Sequence, residues 1–297
     1  MIGTLQSMTG YGNADGIVGS HRLSVEVRSV NHRFFTPSIK LPPALTRMET
    51  DIRELLRRHV TRGHVTLSLR IEREMNEGPR IDVKRLLAYA QQLRAIPESA
   101  GLAVQIDLAS LLRLPEVVTS AFQDDSALAE GDPVAVLLLV TDAVHALVRM
   151  REAEGTRLAQ YLLDRLVIIE GALDRLATRA PGRLVEQRDR LTAAVQELAA
   201  GVAVDAQRLA QEIAILADRY DVAEELSRFA SHNEACRVAI ASPGTEAVGK
   251  RLGFILQEMV REANTTGSKA NDAAMQRDVV LIKEELERMR EQVENLE

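Results

Sequence analysis

The sequence has one cysteine, no tryptophan and only 3% aromatic residues. The lone Cys236 excludes an internal disulfide and a cysteine-rich zinc site. The longest apolar run, residues 134–140, is far shorter than the roughly 20 residues that cross a bilayer, and the N-terminus lacks the regions of a secretory signal. Few aromatic rings are available to stack on bases, so nucleic acid would be bound mainly through charge and shape. These absences predict a cytoplasmic protein without a membrane partner.

The charged residues are unevenly distributed along the chain. Its 297 residues include 37 Lys and Arg against 43 Asp and Glu, yet residues 1–113 carry a net charge of +5, which leaves −11 for the remainder. Arginine supplies 32 of the 37 basic residues, and its planar fork suits phosphate oxygens. A basic front half would therefore meet phosphates, and an acidic back half would hold cations.

Hydrophobic periodicity in the first 80 residues predicts an α+β arrangement. Apolar and polar residues alternate over residues 21–30 and 65–71, which predicts two antiparallel strands. Apolar residues at helical spacing over residues 45–56 predict a helix between them. Gly63 follows that helix, where the chain needs a residue in the left-handed conformation.

The rest of the chain is predominantly helical from about residue 133. We predict interruptions of the helices at Pro181-Gly182 and over residues 264–268. The length allows two domains and a connector, so the chain is predicted to be α+β in three parts, with long helices that pack on themselves or on a sister subunit of an oligomer. These are an N-terminal α+β domain over 1-155, a long helical arm over 156-204 and an all-helical C-terminal domain over 205-297.

Two helices of the acidic half carry candidate metal ligands. Glu225 and His232 are seven residues apart and share a helix face, and Glu258 and Glu262 are one turn apart. Carboxylate oxygens are the ligands that Mg²⁺ and Mn²⁺ take, and a histidine beside a glutamate can ligate a metal or act as a base. The alternative is a set of ordinary ion pairs, and spacing alone favours a pair between Glu225 and Arg228.

The segment that follows Glu262 is rich in hydrogen-bond donors. Either Thr266 or Ser268 would cap the last helix, and the backbone N–H groups there would hold a phosphate with help from Lys269. The alternative is a capped turn between two helices, with no ligand.

Basic side chains flank two strand ends in the front half. Arg28, Asn31 and Arg33 lie at the end of the first strand, and Arg62 and His64 lie at the start of the other. If these strands pair, the side chains converge on one edge and would position phosphates without reading bases. The alternative is a solvated rim of the sheet. The sequence contains no P-loop, dinucleotide fingerprint or nucleophile motif.

Short motifs in a fixed order carry a family resemblance. They are Ser7–Gly12, Glu26–Phe34, Arg62-Gly63, Met150–Gly155, Ala217–Arg219, Asp221–Glu225, Ser231-His232, Gly249–Leu252, Leu256–Glu258, Arg261–Thr265, Gly267–Lys269 and Arg290–Glu297. On these residues the chain resembles the YicC-like endoribonucleases over essentially its whole length. The resemblance implies a bacterial cytoplasmic ribonuclease that depends on a divalent cation. It also implies a hexamer around a cavity that admits RNA, with other RNA-decay enzymes as partners.

The leading hypothesis is therefore metal-assisted hydrolysis of RNA phosphodiester bonds, in which the metal lowers the pKa of a bound water. The predicted catalytic residues are Glu258, Glu262 and His232. The predicted ligands of Mn²⁺ or Mg²⁺ are Glu212, Glu225, His232, Glu258 and Glu262. The predicted RNA-binding residues are Arg28, Asn31, Arg33, Arg62, Arg261 and Lys269. One alternative is a non-catalytic adaptor that presents RNA to another nuclease. Others are a structural oligomer without a nucleic-acid role and a metal-independent ribonuclease with His32 or His64 as base.

Overall fold

The computed structural model describes residues 5–19, 21–72, 80–100, 107–115, 117–119, 132–199, 205–242 and 248–297. The chain divides into two compact units. The sheet unit comprises Tyr11–Val148, and the helical unit comprises Met1–Gly10 with Arg149–Glu297. One helix, Pro133–Ala199, contributes residues to both. The fold class is α+β, as predicted, whereas the three-part domain division and the oligomer stay predictions.

A four-stranded mixed sheet forms the centre of the sheet unit. Its strands are β1 (Gly10–Val18), β2 (His21–Val30), β3 (Phe35–Lys40) and β4 (Gly63–Glu72), in the spatial order β1-β2-β4-β3. β2 and β4 pair antiparallel, whereas β3 pairs parallel to β4. A 3-10 helix (Pro43–Met48) and helix α1 (Glu49–His59) connect β3 to β4. β2, α1 and β4 thus confirm the predicted strand–helix–strand order.

Two short strands and two helices follow β4. β5 (Arg80–Ile81) pairs antiparallel with β6 (Val118–Thr119), and α2 (Val83–Ala100) and α3 (Leu108–Leu112) lie between them in the chain. Asp107 caps α3 because its carboxylate accepts a hydrogen bond of 3.0 Å from the Ser110 N–H.

One face of the sheet is filled by the core of its unit. Val25 and Val27 of β2 are fully buried on this face, because alternate strand residues point to the same side of a sheet. Ile52 of α1 and Val144 of the Pro133–Ala199 helix are also fully buried and belong to the same core. That helix passes close to β1: a Cβ on Gly12 would lie 2.2 Å from a backbone oxygen in it, so only glycine fits there.

The sequence patterns missed β1 and β3. β1 contains three glycines, which weaken the alternation of apolar and polar side chains. β3 contains Pro37, which cannot donate to a strand ladder, but β3 lies at an edge of the sheet and bonds to β4 alone. Proline is tolerated at such an edge. Gly63 has a φ of +118°, so the predicted positive φ is confirmed. The predicted setting is wrong, because α1 ends at His59 with extended Val60 as its cap and Gly63 is the first residue of β4.

The helical unit consists mainly of long helices. In chain order these are α4 (Pro133–Ala199), α5 (Ala206–Tyr220), α6 (Ala223–Ala241), α7 (Val248–Lys269) and α8 (Ala273–Val293). The core of this unit brings together the second half of α4 with α6, α7 and α8, through residues such as Leu166, Phe229, Met259 and Leu286. By contrast, α5 has no buried residue.

Both predicted interruptions of the helices are wrong. α4 continues through Pro181, and Arg179 donates two hydrogen bonds of 2.7–2.8 Å to Glu186, which ties the turns on either side together. α7 continues through residues 264–268 because Thr266 is buried and its hydroxyl donates to the Glu262 carbonyl oxygen at 2.9 Å. The polar groups that suggested a loop are satisfied inside the helix.

α4 is also long and apolar enough, by length and composition, to cross a membrane. A third of its most apolar window is buried within the structure. Its Val140, Val144 and Leu147 belong to the core of the sheet unit, and core helices commonly meet the same test of composition.

Candidate functional site

The strand pairing brings the predicted basic residues to one end of the sheet. Val30, the last residue of β2, is paired with His64 of β4, and His64 is paired on its other side with Thr36 of β3. The last residues of β2 and the first residues of β3 and β4 therefore lie side by side. The basic edge was predicted on the condition that the two strands pair, and they do pair.

Two arginines at this end of the sheet lie over aromatic rings. The guanidinium of Arg28 is 5.4 Å from the centre of the Tyr11 ring, and that of Arg33 is 5.3 Å from the centre of the Phe34 ring. Both distances are typical of cation–π contacts. Phe34 is 64% exposed and Tyr11 is 37% exposed. The sequence analysis did not predict these two rings as part of the site, because the low aromatic content argued against stacking. The adjacency of Arg33 and Phe34 in the sequence is the signal that could have indicated one of them.

Histidines fix the backbone around these rings. The Nδ1 atom of His32 lies 2.9 Å from the Phe34 carbonyl oxygen and 3.4 Å from the Thr36 hydroxyl. The Gly63 N–H also donates to the Phe34 carbonyl oxygen, at 3.3 Å. His64 contacts the Thr66 hydroxyl at 3.5 Å through Nε2. The connection between β2 and β3 is thus held on both sides, which orients Phe34.

The other predicted RNA-binding residues of the sheet unit occupy the same region. Asn31 and Arg33 are exposed in the connection between β2 and β3, and Arg28 is exposed on β2. Arg62 is half-buried immediately before β4. This part of the surface can approach an anionic polymer, because its guanidinium groups reach solvent.

The predicted metal ligands of the helical unit lie mostly on two antiparallel helices. Contacts pair Glu225 at the start of α6 with Lys269 at the end of α7, and Cys236 near the end of α6 with Met259 in the middle of α7. In the first contact a carboxylate oxygen of Glu225 lies 2.8 Å from the Lys269 ammonium. A predicted metal ligand, Glu225, is thus in an ion pair with a predicted RNA-binding residue, Lys269.

The second carboxylate of the interface belongs to Glu262. It is buried, and one of its oxygens lies 3.6 Å from the Arg228 guanidinium. Arg228 also pairs with Glu224, so the expected Glu225–Arg228 ion pair is not formed. Because Glu262 and Lys269 are seven residues apart, the two ion pairs are about 10 Å apart along α7.

Buried polar atoms of α6 remain unsatisfied. The second carboxylate oxygen of Glu225 and both amide atoms of Asn233 are buried without a hydrogen-bond partner in the structure. An unsatisfied buried oxygen costs free energy, so it usually marks strain, an ion or a functional role.

The remaining predicted ligands lie at the margins of this interface. His232 is half-buried on α6, and Glu258 is half-buried on α7, 3.9 Å from the exposed guanidinium of Arg261. Glu212 is exposed on α5, which is a different helix from the two that form this interface. The cap of α8 is Asp272, which accepts hydrogen bonds of 3.0 Å from two backbone N–H groups, and not Thr266 or Ser268 as predicted.

The donor chemistry of α6 and α7 suits a hard divalent cation, because it offers carboxylate oxygens, one of them unsatisfied. The described ranges nevertheless contain no group of three or more His, Cys, Asp or Glu side chains close enough to hold a metal ion. In this conformation Lys269 and Arg228 neutralise the carboxylates of Glu225 and Glu262.

Cys236 lies between these helices but has no nucleophilic character. It is fully buried, and desolvation raises the pKa of its thiol to about 12. A thiol rather than a thiolate is present at neutral pH, which agrees with the absence of a nucleophile motif around it.

Comparison with known proteins identifies the family. The model of the YicC-like endoribonuclease N-terminal region matches residues 5–160, and the model of the YicC-like endoribonuclease C-terminal part matches residues 176–297. A probable endoribonuclease YicC of Haemophilus influenzae is 36% identical over 274 residues, 92% of each chain. A probable endoribonuclease YicC of Clostridioides difficile is 29% identical over 296 residues, 98% of this chain and 99% of the relative. The chain belongs to the YicC-like endoribonuclease family.

Proposed function

We propose that this protein is an endoribonuclease that binds RNA on its sheet unit and cleaves phosphodiester bonds with a divalent metal ion, Mn²⁺ or Mg²⁺. The observation that carries the proposal is the end of the sheet where exposed Arg28 and Arg33 lie over aromatic rings. Such a surface offers both the charge and the ring faces that RNA-binding proteins use. The names of the two relatives support the assignment of cleavage.

The arginines of the sheet unit would position the RNA backbone. Arg28 and Arg33 reach solvent, and Arg62 lies beside them before β4. Their guanidinium forks donate to phosphate oxygens, and the Asn31 amide adds a hydrogen bond to phosphate or sugar. In the helical unit, exposed Arg261 would add a further phosphate contact.

The carboxylates of the helical unit would hold the metal ion. The proposed ligands are Glu212, Glu225, His232, Glu258 and Glu262. These side chains do not form a cluster within the described ranges, so binding of the ion would have to draw them together. The bound ion would supply a water of lowered pKa and would stabilise negative charge on the scissile phosphate. Binding of the ion to Glu225 would release Lys269 from its ion pair, and its ammonium group would then help to neutralise the phosphate.

The proposal extends to the assembly and its location. We place the enzyme in the cytoplasm as a hexamer around a cavity that admits RNA, with other RNA-decay enzymes as partners. The exposed helix α5, which buries none of its residues, leaves apolar side chains such as Ile215 for contact with other subunits.

Single substitutions test the metal site. Purified Glu258→Gln, Glu262→Gln and His232→Ala variants are each expected to cleave a defined RNA roughly 100-fold more slowly than the unmodified protein in Mn²⁺. Glu234→Gln is the matched control, since Glu234 is exposed on α6 two residues from His232. Full activity in all three variants would overturn the metal assignment. RNA binding without any cleavage by the unmodified protein would instead support the adaptor function.

A metal-independent ribonuclease is the second candidate. It is favoured by one observation: His32 and His64 both lie at the sheet end with the arginines, and both contact threonine hydroxyls. One histidine would accept the proton of the RNA 2′-OH, whose oxygen bonds to phosphorus as the bond from phosphorus to the 5′-oxygen breaks; the 5′-oxygen would leave as a hydroxyl after taking a proton from the other histidine or from water. The product would be a 2′,3′-cyclic phosphate, and cleavage would persist in EDTA.

A further inference from the structure

The sheet of the sheet unit has one buried face and one open face. On every strand the residues that point away from the core are at least partly exposed, and apart from Ile17 on β1 and Val30 on β2 they are polar, charged or aromatic. Across the end of the sheet these outward residues are Tyr11 from β1, Arg28 and Val30 from β2, His64 and Thr66 from β4, and Thr36 from β3 with Phe34 just before it. The opposite face contacts α1 and α4 through the hydrophobic core.

Large apolar side chains are exposed on this open face. Phe34 is 64% exposed, Val30 is 51% exposed and the Tyr11 ring is 37% exposed. Exposed apolar groups that cluster in one patch are typical of binding surfaces. The patch also carries cations, because Arg28 and Arg33 lie over the two rings.

The backbone at Phe34 is held in place, although the ring is exposed. The Phe34 carbonyl oxygen accepts a hydrogen bond from the Gly63 N–H, and the His32 and Phe34 rings meet in a T-shaped arrangement with 6.5 Å between their centres. A ligand that stacks on the Phe34 ring therefore has little protein backbone to order, which lowers the entropy cost of binding.

We propose that this open face binds single-stranded RNA, with unpaired bases stacked on Phe34 and Tyr11 and the adjoining phosphates bound by Arg33 and Arg28. This inference rests on the proposed function and adds the class of RNA that the site selects. The two rings come from opposite edges of a four-stranded sheet, about 14 Å apart in strand spacing, which leaves room for more than one base.

The chemistry discriminates against duplex RNA. In a duplex each base is already stacked and paired, so its faces are not available to aromatic side chains, whereas bases of loops and single strands are. Stacking is tolerant of sequence because every base has a flat face, so the surface selects unpaired RNA without selecting a particular base.

The test compares two RNAs in buffer with EDTA. One is a single-stranded 12-nucleotide RNA that carries a 2-aminopurine, and the other is the same strand paired with its complement. Phe34→Leu removes the ring but keeps an apolar side chain, and Phe34→Tyr keeps the ring. Phe254→Leu is the matched control, since Phe254 is 66% exposed in the helical unit. Circular dichroism verifies that each variant is folded.

The unmodified protein is expected to bind the single strand more tightly than the duplex and to quench the 2-aminopurine. Phe34→Leu should lose about tenfold in affinity for the single strand and most of the quenching, with an unchanged salt slope, because no charge is removed. Phe34→Tyr and Phe254→Leu should behave as the unmodified protein. If the unmodified protein binds both RNAs with equal affinity, and Phe34→Leu binds them with the same affinity as the unmodified protein, this inference is overturned and the proposed function still stands. Failure of the unmodified protein to bind either RNA would overturn both.

Discussion

Lys269 and Glu225 form an ion pair across α6 and α7, with 2.8 Å between the ammonium nitrogen and a carboxylate oxygen. Glu225 is almost completely buried, whereas the Lys269 side chain is 28% exposed. The other oxygen of Glu225 has no hydrogen-bond partner. Its buried charge is therefore balanced mainly by Lys269, a residue at the end of its helix.

Removal of Lys269 should destabilise the protein. Lys269→Met leaves the Glu225 carboxylate buried without its counter-charge, and we expect a loss of about 2 kcal/mol in the free energy of unfolding measured with urea. The double variant Glu225→Gln, Lys269→Met should recover part of this loss, because the buried group is then neutral. Lys283→Met, at an exposed position of α8, should change stability by less than about 0.5 kcal/mol. An equal loss in the single and double variants would contradict the pairing.

Two glycines should respond to alanine with opposite signs. A Cβ on Gly155 would lie 2.0 Å from the Leu5 carbonyl oxygen, so Gly155→Ala should destabilise the protein by about 2 kcal/mol. A Cβ on Gly253 meets no atom within 4 Å, so Gly253→Ala should stabilise α7 by about 1 kcal/mol. Thermal unfolding of both variants measures the difference, and a fall in stability for Gly253→Ala would contradict the open space seen there.

Asp272 should make stability depend on pH in the acid range. Hydrogen bonds from the Met275 N–H and from Arg179 lower the pKa of Asp272 below its ordinary value of 3.8. A carboxyl with a lowered pKa contributes its full stability above pH 3.8, and this contribution is lost as the pH falls through the lowered pKa of the folded state.

Asp272→Ala should therefore cost about 1 kcal/mol near pH 7 and progressively less below pH 3.8. Urea unfolding at several pH values measures the difference. Asp272→Asn keeps a capping oxygen, so near pH 7 it should be closer to the unmodified protein than to Asp272→Ala. A difference between the unmodified protein and Asp272→Ala that is constant down to pH 2.5 would argue against a role for the carboxylate charge.

Cys236 should react only when the protein unfolds. Its thiol is fully buried, and the pKa of about 12 keeps it protonated at pH 8. Iodoacetamide at pH 8 should modify it slowly in buffer and rapidly in 8 M urea, as followed by intact mass. Rapid modification of the folded protein would show that the α6–α7 interface opens readily.

Local patterns in the sequence predicted the elements whose side chains alternate or recur. β2 and β4 were predicted because one face of each is apolar. Their pairing brings Arg28 and His64 to one end of the sheet, as expected. β1 and β3 were missed because glycines and Pro37 hide their periodicity. α4 continues through Pro181 with an ion pair between Arg179 and Glu186 across it, and a contact between side chains seven residues apart is a relationship that local propensity does not include.

Some family motifs proved to have a structural setting that spacing could not reveal. Buried Arg151 donates a hydrogen bond to the Ser7 carbonyl oxygen at 2.6 Å and forms an ion pair with the Glu297 carboxylate. Residues of three separate motifs are therefore in contact, and two of them lie near the ends of the chain. Likewise, spacing predicted that Glu225 and Glu262 share faces with other polar groups, but only the structure shows that Lys269 and Arg228 hold them.

The chemistry of the product ends distinguishes the proposed cleavage of RNA with a divalent metal ion from its alternatives. Purified protein is incubated with a defined single-stranded RNA in Mn²⁺ or in EDTA, and the fragments are identified by mass. Metal-assisted hydrolysis predicts cleavage in Mn²⁺ alone, without 2′,3′-cyclic phosphate ends. Cleavage in EDTA with cyclic phosphate ends, or no cleavage under either condition, would contradict it.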